Sequence, residues 1–140
     1  MGFVFLLNRE TGEPIFPVEE REVPQGAVEG DYVTKTQPFP TKPAPLTPTY
    51  LDPEEVFGFT PWDKGYCKKA AKNLRNEGLY TPPSLEGSIH YPSAIGGANW
   101  GGPAVDASRN ILIANTMNLS STIVMVPRKD CDKALKELAR

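Results

Sequence analysis

Between positions 38 and 53 the chain reads PFPTKPAPLTPTYLDP, in which six of sixteen residues are proline. Proline has no backbone N–H and a fixed φ, so this run cannot serve as the interior of a helix or a central strand. It is expected to stay out of any sheet and to run extended over a surface. It reads either as a linker or as an ordered excursion anchored by Phe39, Leu46, Tyr50 and Leu51. The whole chain carries fifteen prolines in 140 residues beside 39% hydrophobic residues. That is enough apolar side chain for a core, but much of the backbone is barred from regular structure.

Regular elements are expected on both sides of this run. FVFLLN (3–8) and EPIFPV (13–18) are two apolar segments around a polar loop ending in Gly12, the pattern of a hairpin. Pro14 and Pro17 keep the second strand at an edge or end it early. Residues 61–77 predict a helix opened by Pro61 or Asp63 and closed at Gly78. Its apolar stripe is Tyr66, Ala70 and Leu74 with Cys67, opposed by a solvated face of Lys64, Lys68, Lys69 and Lys72. A short helix capped by Asp52 precedes it. From residue 87 the pattern turns to strands: GSIHY, GGPAVD and NILIAN around the turn ASR, and STIVMVP. KDCDKALKELAR closes the chain as an amphipathic helix capped by Asp130 or Asp132. The strands are too few to cover both faces of a sheet, and both ends are abrupt, so the chain is expected to be one portion of something larger.

Several function classes are disfavoured. The formal charge of −2 is no footprint for nucleic acid. No apolar run reaches the roughly 18–20 residues of a membrane span, and the N-terminus lacks the basic region of a signal peptide. Cys67 and Cys131 form no CxxC pair and read as small apolar fillers rather than a disulfide. His90 is the single histidine, so zinc ligation is not expected. GGANWGG has neither dinucleotide nor P-loop spacing and precedes strands instead of a helix, so phosphate binding is not expected. Its glycines more naturally let two backbones approach closely or form a bulge. His90 reads as a satisfied or surface residue, Asp106 as a turn-forming aspartate, and the carboxylates at Glu19, Glu20, Glu22, Asp52, Glu54 and Glu55 as a solvated face. Asn99, Trp100, Asn115 and Asn118 remain: Trp stacks on flat rings, and Asn both donates to and accepts from ring carbonyls.

These segments carry a resemblance. FVFLLNRETGEPIFPVEEREVPQG, DYVTKTQPFPTKP, LRNEGLYTPPSLEGSIHYPSAIGGANWGG and VDASRNILIANTMNL resemble, in order, consecutive segments of the membrane-bound quinoprotein dehydrogenases of the glucose and quinate/shikimate type. The combination of TPPSLEG with NWGG is the most specific of them. The resemblance implies a mainly β fold, a fragment of an eight-bladed propeller with antiparallel blade strands and a proline-rich, helical insertion. Residues 1–18 would be a blade hairpin, 19–86 the insertion, 87–128 strands of the following blade, and 129–140 the start of a second helical insertion. It also implies pyrroloquinoline quinone (PQQ) as cofactor and a calcium or magnesium ion. A sugar, polyol or cyclic hydroxy acid would be oxidised, electrons would pass to ubiquinone, and the setting would be the periplasmic face of the inner membrane. By the family pattern the aspartate base and the basic residue on the quinone oxygens lie before residue 2, so the chain alone is expected to be inactive, with no catalytic and no metal residue of its own. The asparagine at the end of ILIAN matches a residue beside the quinone, which assigns Asn115 to the cofactor. Thr116 and Asn118 follow as neighbours, Asn99 as a further contact, and Trp100 as blade packing or pocket wall. The rival expectation is a non-catalytic, propeller-derived module docking a partner through the proline-rich segment.

Overall fold

The computed structural model of the chain describes residues 2–98 and 101–138. Its strands pair into three two-stranded antiparallel sheets, accompanied by two helices. The elements are β1 (Val18–Glu22), β2 (Thr36–Pro40), α1 (Pro61–Lys72), β3 (Ser88–His90), β4 (Pro103–Asp106), β5 (Ile111–Ala114), β6 (Ser121–Ile123) and α2 (Cys131–Leu138). A β-rich fold is therefore what the sequence forms, although no four-stranded sheet closes among the described residues.

The proline run departs from expectation at its start. β2 includes Pro38 and Pro40, paired with Glu20 and Val18 of β1. The two prolines alternate, so both point their missing N–H away from β1, while the odd positions between them face it. The same phase appears at either end of the ladder, where Thr41 N donates to Pro17 O at 3.0 Å and Val23 N to Lys35 O at 3.1 Å. A two-stranded sheet has a free outer edge, which is where proline is tolerated. Phe39 anchors this sheet: its ring meets Phe3 at 5.3 Å and Tyr80 at 5.8 Å, with the Arg21 guanidinium 5.3 Å from its centroid. Tyr50, by contrast, is 51% exposed.

The N-terminal hairpin contracts to one bridge, Leu7 to Pro14, flanked by Asn8 N to Glu13 O and Ile15 N to Leu6 O, both 2.8 Å. Gly12 takes the left-handed φ of 76° that its loop requires. α1 is capped by Thr60, whose hydroxyl accepts from Asp63 N, with Pro61 at the first helical position. The helix ends at Lys72, short of Gly78, because Arg75 is pulled into extended pairing. Its N–H donates to Gly87 O at 3.0 Å and its carbonyl accepts from Ile89 N at 2.9 Å. The buried side of α1 is Ala71 with half-buried Cys67, whereas Tyr66 and Ala70 face outward. Asp52 closes a turn instead of capping a helix, its carboxylate accepting from Glu54 N at 2.8 Å. A 3₁₀ turn (Arg128–Asp130) precedes α2, so Asp130 lies in that turn and Asp132 in the first turn of the helix.

β3 to β6 form one long, irregular hairpin. β3 pairs with β6, and β4 with β5 nested at the tip. Between the Ser88–Ile123 pair and the Pro103–Ala114 pair, one arm advances fifteen positions and the other nine. The surplus of six residues on the first arm is divided by the Gly97–Met117 bridge, three on either side of it. Along the bulging region Ser93 N donates to Leu119 O at 2.9 Å, and Gly97 pairs with Met117. Gly96 shows why a side chain is excluded: a Cβ there would stand 3.0 Å from Ser93 N, 3.1 Å from Leu119 O and 3.2 Å from Met117 O, all backbone atoms. At the tip Asn110 takes a φ of 54°, so β5 starts at Ile111 and not at the asparagine.

Little of this is a core. The buried apolar residues are Val23, Ala71 and Ile89. The chain exposes 10642 Å², against roughly 7,200 Å² that mass scaling gives a folded monomer of 15.4 kDa. Polar staples hold it instead. Glu54, an exposed carboxylate, pairs with Lys68 and, at 2.8 Å, with Lys72.

Two predictions follow from these contacts. The hydrogen bonds from Lys68 and then Lys72 pull the Glu54 carboxyl from 4.5 down to about 2. The pairing is then whole above pH 4.5 and is released as the pH falls through that window toward 2. A carboxyl-resolved NMR titration is expected to place Glu54 near the lower limit, and a midpoint at the ordinary value would contradict the pairing. Gly96→Ala is expected to destabilise the fold by about 1–3 kcal/mol through overpacking against rigid backbone. Gly101→Ala, where a Cβ meets nothing within 4 Å, is expected to shift the urea midpoint far less. Equal shifts would show that close approach is not what Gly96 provides.

Candidate functional site

Of the residues singled out by sequence, Asn115 and Thr116 lie on the hairpin. Asn115 follows β5 directly, between the Pro103–Ala114 pair and the Gly97–Met117 pair. It therefore lies opposite the bulge in which the glycine-rich stretch is held. Asn99 and Trp100 belong to that stretch but lie outside the described residues. Asn115 is exposed and Thr116 half-buried, and the Asn115 amide makes no side-chain hydrogen bond among the described residues. Both its N–H₂ and its carbonyl are thus available to a ligand. Asn118 is carried elsewhere. It lines a groove of about 520 Å³ together with Leu51, Tyr66, Ala71 and Leu119, and Asn115 and Thr116 are not among the lining residues.

The fit to a quinone rests on this donor set. A flat quinone presents carbonyl and carboxylate oxygens and ring nitrogens in one plane. An unengaged amide beside a hydroxyl can donate to such an edge and accept from it. Asn115 and Thr116 match that requirement without breaking any contact of their own fold. Among the described residues no group of three His, Cys, Asp or Glu gathers as a metal site.

The remaining titratable groups sort by geometry. Asp106 shapes the hairpin tip: its Oδ1 accepts from Ser108 Oγ at 2.6 Å, Ser108 N at 3.0 Å and Arg109 N at 3.2 Å, and Oδ2 from Arg109 Nη1 at 3.1 Å. The Ser108 hydroxyl, aided by these backbone groups and the guanidinium, holds its carboxyl below the usual range. His90 is half-buried and is not satisfied at one ring nitrogen. Its Nε2 is enclosed with no hydrogen-bond partner among the described residues, and burial pushes the imidazole below its ordinary value. It borders a cavity of about 240 Å³ beside Tyr80 and Tyr91. The alternation of IHY put His90 on a strand but could not reveal that the cavity-lining loop 78–81 folds over it. Tyr80 is also unusual in taking a φ of 63°. Cys67 is half-buried and free, and Cys131 is free and exposed, so the second is no apolar filler. No helix among the described residues is long and apolar enough to cross a membrane.

With this geometry in hand, comparison with known proteins is informative. A quinoprotein glucose dehydrogenase of Escherichia coli (strain K12) is 40% identical over 133 residues, covering 91% of this chain and 16% of the relative. A quinoprotein glucose dehydrogenase of Gluconobacter oxydans (strain 621H) is 41% identical over 128 residues, again 91% of this chain and 16% of the relative. A probable quinate dehydrogenase (quinone) of Xanthomonas campestris pv. juglandis is 32% identical over 126 residues, 90% and 16%. The chain thus spans about a sixth of the length of these relatives. No solved structure gives a significant match. The PQQ glucose/ethanol/alcohol dehydrogenase β-propeller domain matches residues 1–139, and the chain belongs to that family.

Proposed function

We propose that this chain forms part of the catalytic propeller of a quinone-dependent dehydrogenase and contributes Asn115 to the PQQ site. The observation that supports this most is the free Asn115 amide at the end of β5, across from the bulge of the same hairpin. When bound, PQQ supplies the redox chemistry, accepting a hydride equivalent from the substrate hydroxyl. The chain's share is binding and orientation. The Asn115 side chain would donate from Nδ2 to an oxygen of the quinone edge and so help orient the ring. The Thr116 hydroxyl adds a second contact, and Asn99 a third from the opposite arm. Trp100 packs the blade or walls the pocket. The close backbone approach at Gly96 holds the two arms together so that these contacts share one locus.

The full protein is proposed to oxidise a sugar, polyol or cyclic hydroxy acid at the periplasmic face of the membrane and to pass electrons to ubiquinone. A calcium or magnesium ion and the catalytic base are assigned outside the described residues. On its own the chain is accordingly proposed to be inactive. The rival reading, a docking module built on the proline-rich segment, gains no support, since that segment is bonded to its own chain through β1 and Gly2.

Asn115→Ala in the full protein is expected to weaken PQQ about tenfold, the loss of one or two net hydrogen bonds. Fluorescence titration of the apoprotein with PQQ checks this, with circular dichroism confirming the fold. Unchanged affinity and turnover would remove Asn115 from the site.

A further inference from the structure

The Gly97–Met117 pair divides the long hairpin into two unlike halves. Gly97 N donates to Met117 O at 2.8 Å and Met117 N to Gly97 O at 3.0 Å, the two-way exchange of a hydrogen-bonded antiparallel pair. On its β3 side the extra chain is tied down: Ser93 N donates to Leu119 O and Gly96 N to Ser93 O, both at 2.9 Å. On its other side, up to the Pro103–Ala114 pair, five residues on one arm (98–102) stand against two on the other, Asn115 and Thr116. Those two residues are therefore held between a pair at Ala114 and a pair at Met117.

Gly97 makes its pair with a backbone that a strand residue does not adopt. Its φ is 75°, in the left-handed region, whereas antiparallel strands lie near −140°. A glycine in that conformation lets a strand bond to its partner and then carry surplus residues away from it, as in a bulge. Residues with a Cβ resist the conformation, Asn least among them. A side chain at 97 therefore sets the left-handed backbone against the Met117 bonds, and relief of one means loss of the other.

From this we infer that Gly97 is a positioning residue for the quinone site: its left-handed backbone holds the Met117 pair, and that pair fixes where the Asn115 amide stands. The inference rests on the proposed role of Asn115. It differs from the part assigned to Gly96, where a Cβ would meet backbone atoms of the fold itself. At Gly97 the effect falls on one bridge, two residues from the amide. Without that bridge Asn115 is held through its β5 side alone. The cofactor must then select the competent arrangement from several, which lowers its apparent affinity by the fraction of molecules that hold it.

The test uses the full protein in its apo form, titrated with PQQ by fluorescence, with circular dichroism and the urea midpoint read on each variant. Gly97→Ala is expected to weaken PQQ about tenfold, the shift in population that the left-handed penalty supports. Gly97→Asn, which tolerates that conformation, is expected to recover most of the loss. In an Asn115→Ala background, Gly97→Ala is expected to weaken PQQ by less than about twofold more, because the two act through one contact. Equal loss from Gly97→Ala in both backgrounds would overturn the inference, showing that the glycine serves the fold at large. An asparagine variant as weak as the alanine one would overturn it too. Normal affinity in Gly97→Ala beside a weakened Asn115→Ala would overturn it and leave the quinone role of Asn115 standing. Normal affinity in Asn115→Ala would overturn both. If Gly97→Ala does not fold, Met117→Pro, which deletes the N–H donated to Gly97 O, takes its place in the same cycle with the same expected outcome.

Discussion

Arg75 is the point at which the parts of this chain are joined. Its backbone pairs on both sides with the strand entering β3, which ends α1 and sets the start of the long hairpin. Its guanidinium reaches back across the sequence, Nη1 donating to Gly26 O at 2.8 Å and Nη2 to Gln25 O, with Glu77 as a carboxylate partner at 2.8 Å. One residue therefore connects the loop between β1 and β2, the helix and the hairpin. Among the described residues Val23, Ala71 and Ile89 are the buried hydrophobic side chains, so hydrophobic burial supplies little of the order. Hydrogen bonds to backbone carbonyls tie these elements together instead.

This division explains what could be read from the sequence. Local rules worked where the deciding contact was local: the Gly12 loop, the strands around the hairpin tip, the Asp106 turn and the start of the helix near Pro61. They failed where a distant partner decides. Nothing near Lys72 says that the helix stops there, because the reason is Gly87 and Ile89. Nothing in PFP marks a strand until β1 is placed beside it with the prolines facing the open edge. The cavity that His90 borders is shared with loop 78–81, which comes about ten residues earlier and has no pattern pointing to it.

The site shows the same limits. ILIAN located Asn115 correctly at a strand end, but the significance of that end comes from register. Three of the six surplus residues lie between the Gly97–Met117 and Pro103–Ala114 pairs, on the arm opposite it. Of the glycines on that arm Gly96 serves backbone approach, whereas a Cβ at Gly101 or Gly102 would meet nothing within 4 Å. Asn118, three residues on, is carried to the α1 groove, so adjacency in sequence does not make one site. The exposed area well above that of a compact monomer agrees with a chain whose β faces are completed by other parts of a propeller.

The central claim is that the bulged hairpin delivers Asn115 to the quinone. The most direct measurement is a structure of the full protein with PQQ bound. The account predicts Asn115 Nδ2 within hydrogen-bond distance, about 2.7–3.2 Å, of an oxygen or ring nitrogen of the cofactor. Asn115 turned away from PQQ, with its amide bonded to protein or solvent alone, would contradict it.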